Sequence, residues 1–92
     1  MNKKLDKLAR QLQISGDPNR LKIICLLLEN KKICVSKIAE KLGLDIAVTS
    51  YHLQVLSKAK LTKPVREGKE VCYLLKSSAF SKNLKNLICQ HN

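Results

Sequence analysis

At 92 residues the chain has room for one domain around a single modest core, near the size at which dimerisation adds needed stability. Eighteen Lys and Arg against seven Asp and Glu give a net charge of +11, a surplus that points to a polyanionic partner, nucleic acid first. Aromatics are 3% and Trp is absent, so the core must be aliphatic. No run approaches the roughly 18 apolar residues that cross a bilayer, and the opening MNKKLDKLARQLQ has no apolar signal region. A cytoplasmic protein with no membrane contact and four reduced cysteines is therefore expected. Catalysis is not: there are no paired carboxylates, no nucleophile beside a base, no glycine-rich phosphate loop and no Cys-x-x-Cys pair. No cofactor is expected either.

In chain order, Leu5, Leu8, Ala9 and Leu12 recur at helical spacing and predict a helix over residues 3–14. Gly16 stops it, Asp17 suits the N-cap of the next helix, and Pro18 suits its first position. That helix, 18–29, is apolar nearly all round (Leu21, Ile23, Ile24, Cys25, Leu26, Leu27, Leu28) and should lie at the centre. After the turn ENKK a short helix runs from about 35 to 42, with Ile38, Ala39 and Leu42 inward and Gly43 as its stop. Asp45 then caps a helix over about 46–59. The stretch LTKPVREGKEVCYLL reads as two strands reversing at Glu67-Gly68, and Phe80, Leu84, Leu87 and Ile88 mark a last helix over 78–90. The fold class is thus mainly α with a small β-hairpin, a single domain over residues 1–92. A short helix, a glycine turn and a longer helix make a helix-turn-helix, and the hairpin beyond it makes a wing.

On a helical wheel of IAVTSYHLQVLSK, Thr49, Leu53 and Leu56 share one face, with Ile46 and His52 beside them. His52 is read as a packing or hydrogen-bonding residue. The opposite face carries Ala47, Tyr51, Gln54 and Lys58, with Ser50 alongside. A merely solvated face more often carries Glu and Lys. A face of Ala, Ser, Tyr and Gln suits the major groove, where Gln pairs with adenine and Ala meets a thymine methyl. Phosphate contacts are assigned to Lys37 and Lys41 on the short helix and to Lys58, Lys60 and Lys63 behind the reading helix. Arg66 and Lys69 bracket the wing turn and reach a neighbouring minor groove or backbone. A winged helix serving only protein contacts is the rival, and salt-insensitive DNA binding would favour it.

Three stretches resemble the ArsR/SmtB family of winged-helix repressors: GDPNRLKIICLLLE, SKIAEKLGLDIAVTSYHLQVLSKAKL and VREGKEVCYLL. The resemblance spans nearly the whole chain. It implies a homodimer on an inverted-repeat double-stranded operator, released by a small inducer. It also implies that the first and last helices pair across the two-fold axis, through Leu5, Leu8, Leu12, Phe80, Leu84, Leu87 and Ile88.

The resemblance leaves the inducer open among sulfane sulfur, an oxidant and a thiophilic metal. The arsenic and cadmium branch begins its third helix with Glu-Leu-Cys-Val-Cys. Here the match is Lys-Ile-Cys-Val-Ser, so Cys34 keeps one thiol and Ser36 replaces the other, a poor ligand for a soft cation. The zinc branch uses Asp, His and Glu on the last helix, where this chain has only His91. Cys25 and Cys89 resemble the pair of the persulfide-sensing branch, which implies operator release when a disulfide or polysulfide links them. The alternatives are a metal or metalloid site using Cys34 with another Cys, or a regulator with no thiol inducer. Cys34 is otherwise read as an ordinary helix-start residue and Cys72 as a plain strand residue.

Overall fold

The computed structural model describes residues 2–91, with side chains through residue 88. Five helices and three short strands follow one another as α1 (Lys3–Ser15), α2 (Pro18–Glu29), β1 (Ile33–Cys34), α3 (Val35–Leu42), α4 (Ile46–Lys58), β2 (Thr62–Glu67), β3 (Glu70–Leu75) and α5 (Ala79–His91). This is a winged helix-turn-helix. Among the described residues no helix is long and apolar enough to cross a membrane.

The helix limits follow from local chemistry. The Asp17 carboxylate accepts the Arg20 amide at 3.1 Å and Pro18 opens α2, so the SGDPNR break ends one helix and starts the next. Gly43 closes α3 with φ 66°, a left-handed position in which the Leu44 amide reaches back to the Ala39 carbonyl at 3.0 Å. Asp45 occupies the N-cap of α4 but makes no side-chain cap bond; its carbonyl instead accepts the Thr49 hydroxyl at 2.9 Å. The last helix begins one residue later than 78. The Ser78 hydroxyl accepts the Ser81 amide at 3.1 Å while the Ser81 hydroxyl accepts the Ser78 amide at 3.0 Å. This reciprocal arrangement places Ser78 outside the helix as its cap.

Sequence periodicity predicts two strands, and the sheet has three. β1 is only two residues long, too short for any alternation to register, and pairs antiparallel with β3 in the order β1-β3-β2. Ile33 stands opposite Tyr73 and Cys34 opposite Cys72. β2 and β3 pair from Thr62↔Leu75 to Glu67↔Glu70, so the reversal falls on Gly68 and Lys69, one residue beyond the predicted place.

The core is aliphatic, as the composition requires. Ile23, Ile24, Ile38, Leu53, Leu56 and Leu61 are almost wholly buried, joined by Ile14, Leu27, Ile33, Val35, Tyr73 and Leu84. Gln11 ties α1 into this assembly by donating to the Ala59 carbonyl at 3.2 Å, satisfying a backbone acceptor at the end of α4.

α2 is less enclosed than its composition suggests. Ile23, Ile24 and Leu27 face inward, but Leu21 is exposed, and Cys25 and Leu28 are only half-buried. The helix expected at the centre therefore has a partly open face along Leu21, Cys25 and Leu28. Leu5, Leu8, Leu12 and Leu87 are 56, 40, 53 and 54% exposed, although each was placed by its helical stripe. A protomer of this size leaves them uncovered.

Candidate nucleic-acid interface and thiol sites

α4 is anchored from within. Thr49, His52, Leu53 and Leu56 are buried on its inner face, and the Thr62 hydroxyl reaches the Ser57 hydroxyl at 2.7 Å. A link that the sequence did not suggest comes from α2. The Arg20 Nε donates to His52 Nδ1 at 3.1 Å, and its Nη1 donates to the Ile14 carbonyl at 3.4 Å. One guanidinium thus joins the end of α1, the start of α2 and the middle of α4, which explains the Arg in GDPNRL. His52 serves as a hydrogen-bond acceptor in this arrangement.

The outer face of α4 carries Ala47, Tyr51, Gln54 and Lys58, all exposed, with Ser50 half-buried. The Gln54 Nε2 donates to the Ser50 Oγ at 3.3 Å, so the amide is already oriented on the helix surface. Ile46 departs from its predicted place. It lies on the angular stripe of Leu53, one heptad earlier, yet is 60% exposed, while Thr49 three residues on is wholly buried. A wheel gives angle but not depth. Ile46, Val48 and Tyr51 together make the leading end of this face more apolar than the sequence reading allowed, suited to thymine methyls and sugar edges.

Ile46 and Ser50 also line a groove with Val35, Ser36, Lys69, Glu70 and Val71, so the turn end of the wing and the reading helix share one surface. Lys37 and Lys41 on α3, Lys58, Lys60 and Lys63 behind α4, and Arg66 and Lys69 on the wing are all exposed. Gly68 turns the wing with φ 61°, between those last two cations. Lys60 adopts φ 64° at the end of α4, where glycine would be the easier residue. Lys37 lies 3.7 Å from Glu40, an exposed pair of small energetic weight that leaves the lysine available to phosphate.

The cysteines fall into two groups. Cys25 is free and half-buried on α2, and burial, then the nearby Glu29 carboxylate, push its thiol above the ordinary cysteine value. At neutral pH it rests as the protonated thiol. The side chain of Cys89 lies outside the described residues, as do those of residues 90–92. Leu21, one turn before Cys25, shares an apolar groove with Leu84, Leu87 and Ile88 of α5. Cys34 and Cys72, read from sequence as unrelated and reduced, are joined by a disulfide. Their pairing depends on the β1–β3 register, a contact between residues far apart in the chain. The Glu67 carboxylate is nearby, and one donor atom from each of Cys34, Glu67 and Cys72 lies within 4.8 Å of the others.

Residues 17–62, from the α2 cap through the helix-turn-helix into the wing, match the family described as bacterial regulatory protein, arsR family. The chain belongs to that family. As an arsR-family protein it is a DNA-binding transcription regulator and not an enzyme. An HTH-type transcriptional regulator of Methanocaldococcus jannaschii is 42% identical over 65 residues, covering 71% of this chain and 73% of its own. The structure of HlyU from Vibrio cholerae superposes with a TM-score of 0.86 at 29% identity, covering 95% of this chain and 94% of that one. A homodimeric winged helix-turn-helix DNA-binding domain from Mycobacterium bovis superposes with a TM-score of 0.85 at 25% identity, covering 95% and 80%.

Proposed function

We propose that this arsR-family regulator is a homodimeric repressor that reads an inverted-repeat operator with α4 and releases it on thiol modification. The observation that carries the reading is the nearly uncharged face of exposed Ala47, Tyr51 and Gln54 with half-buried Ser50, flanked by lysines on α3 and behind α4 and by Arg66 and Lys69 on the wing. Base edges need hydrogen-bonding and apolar groups, phosphates need cations, and the two kinds of residue are sorted in that way over one surface. The two wings would extend the contact to flanking backbone.

Dimerisation is supported by the uncovered leucines. Leu8, Leu12, Phe80 and Leu87 line one apolar groove between α1 and α5, and Leu5 is exposed one turn before Leu8 on α1. Ile88 is half-buried beside them. Leu84 is 8% exposed and belongs mainly to the protomer's own core, so it would support the interface from beneath. A second copy placing the same faces together gives a two-fold interface and two reading helices for two half-sites.

Cys25 and Cys89 are the proposed switch. Cys25 is half-buried on α2, one turn after Leu21, which lines the groove against α5. Burial and Glu29 raise its thiol, so attack on sulfane sulfur would go through a small thiolate fraction and be slow at neutral pH. A link between the second and last helices would draw on the same surface that the dimer uses, and so reach the spacing of the two α4 helices.

The test is to recover operator DNA from fragmented genomic DNA with the reduced protein, then add an organic polysulfide. The expected result is release of wild-type protein, with Cys25→Ser and Cys89→Ser each binding normally and failing to release. Normal release by both single variants would contradict the switch while leaving the DNA-binding reading intact. Failure to recover any DNA would contradict the reading itself.

A further inference from the structure

We propose that Cys34 and Cys72 form a second, independent thiol-modification site, a dithiol that a hydroperoxide converts to the cross-link joining the helix-turn-helix to the wing. The pair sits where two functional parts meet. Cys34 is the residue immediately before α3, and Cys72 lies in the middle of the outgoing wing strand. Two non-covalent links run beside it: Lys32 pairs with Glu67, and the Ser36 hydroxyl donates to the Glu70 carboxylate at 3.0 Å. Three consecutive alternate residues, 32, 34 and 36, thus fasten the entry of α3 to the hairpin. Only the middle one depends on oxidation.

The two sulfurs differ in access. Cys34 is half-buried and lines an open pocket with Lys32, Ser36, Lys37, Lys41 and Glu70, whereas Cys72 is 0% exposed. An oxidant entering that pocket meets Cys34 first, and Cys72 stands behind it as the resolving thiol. In the first step the Cys34 thiolate attacks the peroxide oxygen, giving a sulfenic acid and releasing the alcohol or water of the cleaved O–O bond. In the second, the Cys72 thiol attacks that sulfur and the sulfenic oxygen leaves as water. Overall, two thiols and one hydroperoxide give one disulfide, one alcohol and one water. A dithiol reductant reverses the link by exchange.

The same atoms make a poorer cation site. The one carboxylate of the cluster, Glu67, is engaged by Lys32, and the pocket mouth carries Lys32, Lys37 and Lys41 against Glu70. Two thiolates and a spoken-for carboxylate, entered past three ammonium groups, suit a neutral or anionic oxidant better than a divalent cation. The consequence of the link is mechanical. It fixes β3, and with it Arg66 and Lys69, relative to the start of α3, so the order of the wing becomes dependent on thiol oxidation.

The experiment uses the full chain carrying Cys25→Ser and Cys89→Ser, fully reduced and then treated with hydrogen peroxide, with a wild-type sample mapped in parallel. The expected result is a non-reduced peptide pair linking Cys34 to Cys72, lighter than the two thiol peptides by two hydrogen atoms, and reversed by dithiothreitol. Amide exchange across β3 should be slower in the linked form, on the order of tenfold or more. Overoxidation of Cys34 without a link, a Cys34–Cys34 bridge between chains, or unchanged thiols would overturn the proposal. So would stoichiometric Cd(II) binding to the reduced protein, read as thiolate-to-metal absorbance, that blocks the link. Because the readouts are peptide masses and wing exchange, these outcomes stand apart from success or failure of the Cys25–Cys89 switch.

Discussion

Replacing Gln54 by alanine is expected to weaken operator binding by roughly 1–3 kcal/mol per half-site, or roughly 2–6 kcal/mol for a dimer that uses both. Gln54 is exposed on the outer face of α4, and its amide is held by the Ser50 hydroxyl at 3.3 Å. A carboxamide so placed offers one donor and one acceptor along a base edge, the pairing that adenine presents in the major groove. Affinity for random duplex should hardly change, because the proposed phosphate contacts of Lys37, Lys41, Lys58, Arg66 and Lys69 are left in place. Stability should hardly change either, since the side chain packs against no core residue. Competition binding with operator and random DNA separates the two contributions. An equal loss on both sequences would mean that Gln54 positions the protein without reading bases.

Reduction of the Cys34–Cys72 cross-link should cost about 4 kcal/mol of unfolding free energy, measured by urea denaturation with and without reductant. The bond joins residues 38 apart in sequence, and closing a loop of that size removes about this much denatured-state entropy in the chain-entropy account. Against a total of about 5–15 kcal/mol for a domain, that is a large share. Cys72→Ala should unfold near the reduced wild type and ignore reductant. A transition unmoved by reductant would show that β1 and β3 are held by the sheet, the buried Ile33 and Tyr73, and the flanking Lys32–Glu67 pair alone.

The helices were legible where their punctuation is local. Asp17-Pro18 and Gly43 act within one turn of where they stand, and the limits of α2 and α3 follow from them directly. The hairpin was legible because Gly68 sits between two β-rich runs. What escaped the sequence depends on contacts between distant residues. β1 has two residues and exists only because β3 lies beside it. Cys34 and Cys72 meet through that same register, and Arg20 finds His52 across 32 positions. Ile46 shows the other limit: periodicity assigned its direction, but only the depth of packing decides whether an inward-leaning residue is covered. In the candidate site, the outward face of α4 and the exposed cations could be named from spacing alone. The groove joining them to the turn end of the wing, with Ser36 and Val71, required the tertiary structure.

The measurement that tests the account most directly is the salt dependence of duplex DNA binding by the reduced protein, followed by fluorescence anisotropy. A dimer that meets six to ten phosphates with its lysines and arginines should lose roughly 10³- to 10⁵-fold in affinity between about 50 and about 200 mM salt, along a straight line in log–log form. Lys58→Ala and Arg66→Ala should each make that line shallower. Binding that is absent, or that ignores salt, would contradict the assignment of α4 and the wing to DNA and leave this surface to a protein partner.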